Sequence, residues 1–289
     1  MADINESIGG YRLRNLLQTS QKTQVFEVVE PASNRHFAMK LLLPEVAEVE
    51  SERRALFHEA EIGTEMRHEN VIHILKVNKS QSAPHFIMEF FPSGSLRERI
   101  KRKDMGFIKQ HSRKIFKQAA TGLAYMNSND YIHRDVKPDN ILVNPLGDTK
   151  LIDFAISKQY PTGIKLWFYR KGKPQGTPSY MSPEQIRDEV LDTRADIYSY
   201  GCTLYELTCG RPPFRATTTN ELLTKHLAEK PSPLIAYNAD VTDAFSNFVL
   251  KLLAKDKKNR PKHFHEVMME MKKLPIYKSV VEKRDSEEE

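Results

Sequence analysis

Within eight residues, His133-Arg134-Asp135-Val136-Lys137-Pro138-Asp139-Asn140, the sequence gathers two carboxylates, an amide and two basic side chains besides the histidine. Asp153-Phe154-Ala155 begins thirteen residues after Asn140. Carboxylate and amide oxygens are hard donors of the kind Mg2+ prefers, a carboxylate can accept a hydroxyl proton, and a lysine can neutralise an anion. Upstream, Ala38-Met39-Lys40 and Glu59 add one more cation and one more acid. Taken singly each has an ordinary explanation: Lys40 a solvated strand residue, Glu59 a charge on a helix surface, Asp153 an acid in a turn. Only their joint order and spacing argue for a shared chemistry.

Those residues need elements to position them. From Tyr11 to Lys40 the apolar residues fall in short groups, Val25-Phe26-Glu27-Val28-Val29 and His36-Phe37-Ala38-Met39-Lys40, separated by the polar turn Pro31-Ala32-Ser33-Asn34. This pattern predicts antiparallel strands joined by hairpins. Glu52 to Met66 places Ala55, Leu56, Ile62 and Met66 at near-helical spacing, so one helix is expected there. His85 to Phe91 reads as another strand, and Pro92-Ser93-Gly94 breaks it. Beyond that break the spacing turns helical, over Ser112 to Asn127, Asp196 to Thr208 and Val241 to Ala254. A small sheet-rich part therefore precedes a larger helical one.

The 289 residues are 39% hydrophobic and 28% charged, enough for a packed core, which excludes a wholly disordered chain. No apolar run approaches the ~20 residues that cross a bilayer, and the opening MADINES is unlike a secretory signal. Cys202 and Cys209 are the only cysteines and form no C-x-x-C pair, so a reduced, cytoplasmic setting is expected. Net charge is +6, unevenly spread: residues 1–89 carry 10 basic and 13 acidic side chains, residues 90–289 carry 34 and 25. Two basic stretches stand out, Arg97 to Lys117 and Lys158 to Lys173. They read as solvated surface; no zinc-finger spacing or recognition-helix pattern points to nucleic acid.

The combination of His133 to Asn140 with Asp153-Phe154 resembles the catalytic loop and metal-binding motif of protein kinases, over residues 11 to 275 or so. Ala38-Met39-Lys40 matches the family's strand lysine, Glu59 its acidic helix partner, and Ser182-Pro183-Glu184 the end of the activation segment. Asp196 and Arg260 stand where the family has a helix-anchoring aspartate and an arginine paired with the Glu184 position. The resemblance implies an α+β, two-lobed fold: a small antiparallel N-lobe with one main helix over 11–91 and a larger helical C-lobe over 92–277; beyond it, the charge from Glu282 to Glu289 predicts a disordered tail over 278–289. The resemblance also implies ATP and Mg2+. Lys40 would hold the α- and β-phosphates with Glu59 fixing its ammonium, Asn140 and Asp153 would ligate the metal, Asp135 would accept the substrate proton, and Lys137 would neutralise the γ-phosphate. The Lys137 position implies serine and threonine rather than tyrosine acceptors. Adenine would meet Leu17, Val25, Ala38 and Leu142, with Met88 as gatekeeper and backbone contacts at Glu89 and Phe91. The stretches GTPSYMSPEQ and IGGYRLRNLL are similar to bacterial-type Ser/Thr kinases.

Three positions depart from the family. The phosphate loop reads Gln18-Thr19-Ser20-Gln21-Lys22-Thr23-Gln24-Val25 and lacks every glycine. If one or two of its positions need positive φ, each costs about 1–2 kcal/mol, which predicts a raised ATP KM, offset in part by Lys22. Ala155 replaces the glycine after Asp153-Phe154. Gly63 stands where the family has an apolar side chain, so a gap beside Ile74, Phe154 and His133 is expected, with α-helix loosening of about 0.5–1 kcal/mol.

Arg134 before Asp135 implies control by phosphate on the activation segment. The segment offers Ser157, Thr162, Thr177 and Ser179 as hydroxyl acceptors, plus Tyr160 and Tyr169, with Thr162 preferred for regulation and Thr177 matching the threonine that hydrogen-bonds the catalytic loop. Protein substrates are the implied partners, with Ser95 arguing against a strongly basic consensus; oligomeric state is left open. A pseudokinase scaffold and a small-molecule phosphotransferase are the alternatives.

Overall fold

Strand alternation and hairpin turns organise the first part of the chain, buried helix faces the second. The computed structural model describes residues 7–160 and 174–279. The chain divides into two units, Met1–Ser93 with Ile152–Ile156, and Gly94–Leu151 with Ser157–Glu289. Thr162, the cations Lys165, Arg170, Lys171 and Lys173, and the charged tail from Glu282 lie outside the described residues.

In the first unit β1 (Ser7–Ile8), β2 (Tyr11–Thr19), β3 (Thr23–Glu30), β4 (Arg35–Leu42), β5 (Ile74–Asn78) and β6 (His85–Glu89) form one sheet in the order β1-β2-β3-β4-β6-β5. Every neighbouring pair is antiparallel. The β3–β4 hairpin turns at Asn34, whose φ of 53° asparagine tolerates well. Successive side chains face opposite ways. Phe26 and Val28 of β3, Phe37, Met39 and Leu41 of β4 and Ile87 of β6 join Tyr11 and Leu13 in one buried cluster. The alternate residues of β4, namely Ala38, Lys40 and Leu42, therefore face the other side. There Leu42 packs with Leu56 and Ala60 of α1 (Glu50–Glu65), Ile74 and Phe86.

The gap expected at Gly63 is not there. A Cβ built on Gly63 would lie 2.4 Å from Ile74 Cδ1 and 2.6 Å from its Cγ1, and Ile74 is buried. The branched Ile74 side chain enters the space that a side chain on α1 would take, so glycine allows α1 and β5 to approach closely. The expectation of a loosened helix loses its structural basis, because close packing replaces the cavity.

The second unit is helical: α2 (Leu96–Lys101), α3 (Met105–Ser128), α4 (Pro183–Ile186), α5 (Thr193–Cys209), α6 (Thr219–Ala228), α7 (Asp243–Leu252) and α8 (Phe264–Lys272). Every residue of α5 from Ala195 to Thr208 is buried. This is the behaviour of a central helix covered on all sides: α3 and α7 pack on it, and α8 packs on α3. Helix starts follow side-chain caps. Asp104 and Asp192 accept backbone N–H bonds ahead of α3 and α5, and Gly210 at φ 68° ends α5. Asp104 explains why α3 begins two turns before the periodicity shows it. Short strands carry the loops: β7 (Gly94–Ser95), β9 (Ile141–Val143) and β10 (Thr149–Leu151) form one ladder, β8 (Tyr131–Ile132) and β11 (Lys158–Gln159) another. Among the described residues no helix is long and apolar enough to cross a membrane.

Candidate active site

In the first unit the strand register selects one sheet face. Val25 lies opposite Lys40, Glu27 opposite Ala38, and Ala38 opposite Met88. Val25, Ala38, Lys40 and Met88 thus share the face away from the main apolar cluster, which is why these four predicted residues come together. Leu17 falls in the irregular register between Leu16 and Gln18 and is 45% exposed. Glu89 closes β6, its N–H donating to the His73 carbonyl at 3.0 Å and its carboxylate accepting from the His73 N–H at 2.9 Å.

Lys40 Nζ donates to both Glu59 oxygens, at 2.8 and 2.7 Å, and lies 3.6 Å from Asp153 Oδ1. Glu59 is almost fully buried on α1. Burial opposes the ammonium charge, but the Asp153 and Glu59 carboxylates outweigh it and hold the Lys40 pKa above the ordinary lysine value. Asp153 adopts φ 70°.

The phosphate loop differs from its expectation. No residue from Gln18 to Val25 has a positive φ, so the predicted backbone strain is not incurred. Ser20 closes the turn instead: its N–H donates to the Thr23 carbonyl at 2.8 Å, while its Oγ accepts from the N–H groups of Lys22 (3.2 Å) and Thr23 (2.9 Å). A serine side chain occupies the amides that a glycine turn would leave available. Lys22, at the tip, forms an ion pair with Glu52 of α1 at 2.8 Å.

In the second unit the loop from His133 to Asn140 is held by a buried acid. Asp196, on α5 and fully buried, accepts from the N–H groups of His133 and Arg134, both at 2.9 Å, and from Asn127 Nδ2 at 3.3 Å. Burial raises the Asp196 pKa, with His133 and the donated amides opposing it. Arg134 takes φ 69° at this bend, and its carbonyl accepts from Gln185 Nε2 at 2.9 Å.

Around the bend, Lys137 Nζ donates to Asp135 Oδ2 at 2.5 Å and to Thr177 Oγ1 at 2.6 Å. The Thr177 N–H donates to Asp135 Oδ1 at 3.0 Å. Asn140 donates its amide nitrogen to the Asp135 carbonyl at 2.9 Å and to Asp135 Oδ2 at 3.1 Å, which leaves Oδ1 as its oxygen donor. The Asn140 amide oxygen and the Asp153 carboxylate, each in its own unit, are hard oxygen donors of the kind Mg2+ takes. Leu142, on β9, pairs with Ser95 and Lys150.

Two further sets of contacts lie in the same unit. Arg260 donates to Glu184 Oε1 at 2.7 Å and Oε2 at 2.9 Å, with 0% and 3% of the two side chains exposed, and its remaining donors reach the Ala254, Arg194 and Lys255 carbonyls. Ser157, read from sequence as an acceptor for phosphate, is fully buried and donates to the His133 carbonyl at 3.1 Å; that position is structural. Sequence reasoning missed one cluster. Arg97, taken as part of a solvated basic stretch, donates to Asp139 at 3.0 Å and Glu206 at 2.6 Å and contacts the Tyr180 hydroxyl, which also donates to Glu206. A glutamate inside the otherwise buried α5 stretch was the signal that a cation had to meet it. Asp139 is thereby ion-paired with this arginine.

A family model described as the protein kinase domain matches residues 14–273. The chain is 30% identical over 255 residues to a serine/threonine-protein kinase, PknB, of Mycolicibacterium smegmatis, covering 86% of this chain and 40% of that one. A probable serine/threonine-protein kinase of Clostridium acetobutylicum is 28% identical over 264 residues, 90% of this chain and 39% of the relative. One of Dictyostelium discoideum is 29% identical over 273 residues, 93% and 53%. The chain spans about 40% of the length of the bacterial relatives it matches. With the lysine–glutamate pair on its sheet and the Asp196-anchored loop on its helices, the chain belongs to the protein kinase domain family.

Proposed function

We propose that this chain transfers the γ-phosphoryl group of ATP to serine and threonine hydroxyls of proteins. The contacts of Lys137 carry this reading: one ammonium joins the Asp135 carboxylate to Thr177 at 2.5 and 2.6 Å. Asp135, oriented by Lys137, Asn140 and the Thr177 N–H, takes the proton of the substrate hydroxyl. The hydroxyl oxygen bonds to the γ-phosphorus as the bond to the bridging oxygen breaks, its electron pair leaving with ADP. Lys137 neutralises charge on the γ-phosphoryl oxygens, and Lys40, fixed by Glu59, binds the α- and β-phosphates. Asn140 and Asp153 would hold Mg2+, which supplies further neutralisation of phosphate charge when bound.

Leu17, Val25, Ala38 and Met88 of the first unit and Leu142 of the second are the adenine-contacting residues in this reading, with the backbone of Glu89 and Phe91. Gln18 to Gln24 cover the phosphates, with Lys22 drawn from Glu52 towards them. The units correspond to an N-lobe over 11–91 and a C-lobe over 92–277. Arg134 receives a phosphate on the activation segment, with Thr162 as its carrier; Thr177 is committed to Lys137 and Asp135. The two free cysteines support a cytoplasmic setting.

Wild type and Asp135→Asn are incubated with γ-labelled ATP, Mg2+ and a generic protein substrate. Label on serine and threonine from wild type, with at least ~100-fold less from the variant, is expected. No label from either, with Mg-ATP binding shown separately, would replace the enzyme reading with a nucleotide-binding scaffold.

A further inference from the structure

Helix α3 places Lys109, Arg113 and Lys117 at four-residue intervals, so three cations form one stripe. Lys109 is held by Asp240 Oδ2 at 2.7 Å. Arg113 donates to the carbonyls of Lys272 and Leu274, at 3.3 and 3.0 Å. Lys117 and Lys272 have no carboxylate partner among the described residues. Alongside the stripe, between α3 and α8, runs a groove of about 520 Å³. Met268, Met269 and Ile276 line it, and Arg113, Lys117 and Lys272 rim it. Met269 is 49% exposed. An occupant must be apolar against the methionines, which adapt readily to a partner's shape, and acidic against the two lysines.

The chain carries such a segment within reach. Residues 280–289 comprise Val280 and Val281, then Glu282, Asp285, Glu287, Glu288 and Glu289 against Lys283 and Arg284. Ser279, which precedes them, is fastened at one end of the stripe. Its N–H donates to Asp240 Oδ1 at 2.9 Å and its hydroxyl to Oδ2 at 3.0 Å, on the same carboxylate that holds Lys109. Lys117 lies two turns further along α3, a rise of roughly 12 Å, whereas ten residues can extend roughly 33 Å. Tethering makes the encounter intramolecular, so weak contacts suffice.

We propose that residues 280–289 dock on their own chain in the α3–α8 groove, the valines against Met268 and Met269 and the acids against Lys117 and Lys272. This assignment is independent of phosphoryl transfer. Its test is zero-length carbodiimide coupling on an equal mixture of unlabelled and 15N-labelled full-length chains, read by mass spectrometry. Amide links from Lys117 or Lys272 to carboxylates in 282–289, within one isotopic copy, are expected, their yield falling ~5-fold or more in ~0.5 M NaCl.

Peroxide oxidation of Met269 should run about 3-fold faster when Glu287 and Glu288 are changed to lysine, because the groove is then open. Adding Lys117→Glu and Lys272→Glu to that variant should restore protection. Links joining light to heavy chains would assign the groove to a second copy. Equal Met269 oxidation in wild type and variant, slowed only by added polyglutamate, would assign it to an acidic partner; either result overturns the proposal.

Discussion

The hairpin tip at Ser20–Thr23 and the loop from His133 to Asn140 both serve the phosphates in the proposed reaction, yet they are built differently. The hairpin is exposed, closed by a serine side chain and tied to α1 by the Lys22–Glu52 pair, whose lysine is 56% exposed. The His133–Asn140 loop rests on Asp196, which is fully buried and holds two backbone N–H groups. An exposed turn can exchange its residue types because water satisfies whatever the side chains do not. A buried bend cannot, since each unmet donor costs about 1–3 kcal/mol. The sequence departs from the family at the first place and keeps the family's residues at the second for this reason.

The largest test of that contrast is Asp196→Ala. It strands the His133 and Arg134 amides, so activity should fall ~100-fold or more and stability by about 2–4 kcal/mol, read from kcat/KM and chemical unfolding. A loss under tenfold would remove the distinction between the two loops. The first unit is not loose throughout, and Gly63 marks where it is not. Gly63→Leu should destabilise by about 1–3 kcal/mol through collision with Ile74, and Ile74→Ala in the same chain should recover at least half. An unchanged melting temperature would show that Ile74 has somewhere else to go.

A pH series sharpens the contrast within the second unit. His226 is fully buried beside Tyr198 and Phe214, its Nδ1 2.9 Å from the Tyr198 hydroxyl. Burial, with Lys255 adding to it, lowers its pKa from 6.5 to about 3. The folded chain therefore stays unprotonated at His226 while the unfolded chain takes up a proton below 6.5. Stability falls as pH drops from 6.5 towards 3, by about 2 kcal/mol between pH 7 and 5. Lys255, pushed down to about 8 by burial, stays charged across that range. His226→Asn should flatten the wild-type slope of unfolding free energy over pH 7 to 5 by that amount; parallel slopes would refute the assignment. The smallest effect belongs to the hairpin. Glu52→Gln releases Lys22 and should lower the ATP KM by no more than ~3-fold, a difference that disappears in high salt. An effect as large as that of Asp196→Ala would place the hairpin among the rigid parts.

Short apolar groups on either side of the polar turn Pro31-Ala32-Ser33-Asn34 made the β3–β4 hairpin legible, and three- and four-residue apolar spacing did the same for α1, α3 and α5. Motif order marked Lys40, Glu59, Asp135, Lys137, Asn140 and Asp153 without any coordinates. Other features were not legible because they depend on residues distant in sequence. Gly63 reads as a missing side chain until Ile74, eleven positions later, is seen to fill the space. Arg97 reads as surface charge until α5 brings Glu206 to it. Ser157 reads as a modifiable hydroxyl until it is found buried against the His133 carbonyl, and Lys22 as an open cation until Glu52 pairs with it.

The sequence by itself determined the periodicities, and hence the sheet and the helices, and the chemical types needed at the phosphates. Those are properties of local backbone preference and side-chain chemistry. Tertiary structure alone decided which charges are paired, which hydroxyls are sealed and which spaces are filled. Pairing, burial and packing depend on what folding brings within a few ångströms, and no single stretch of chain carries that information.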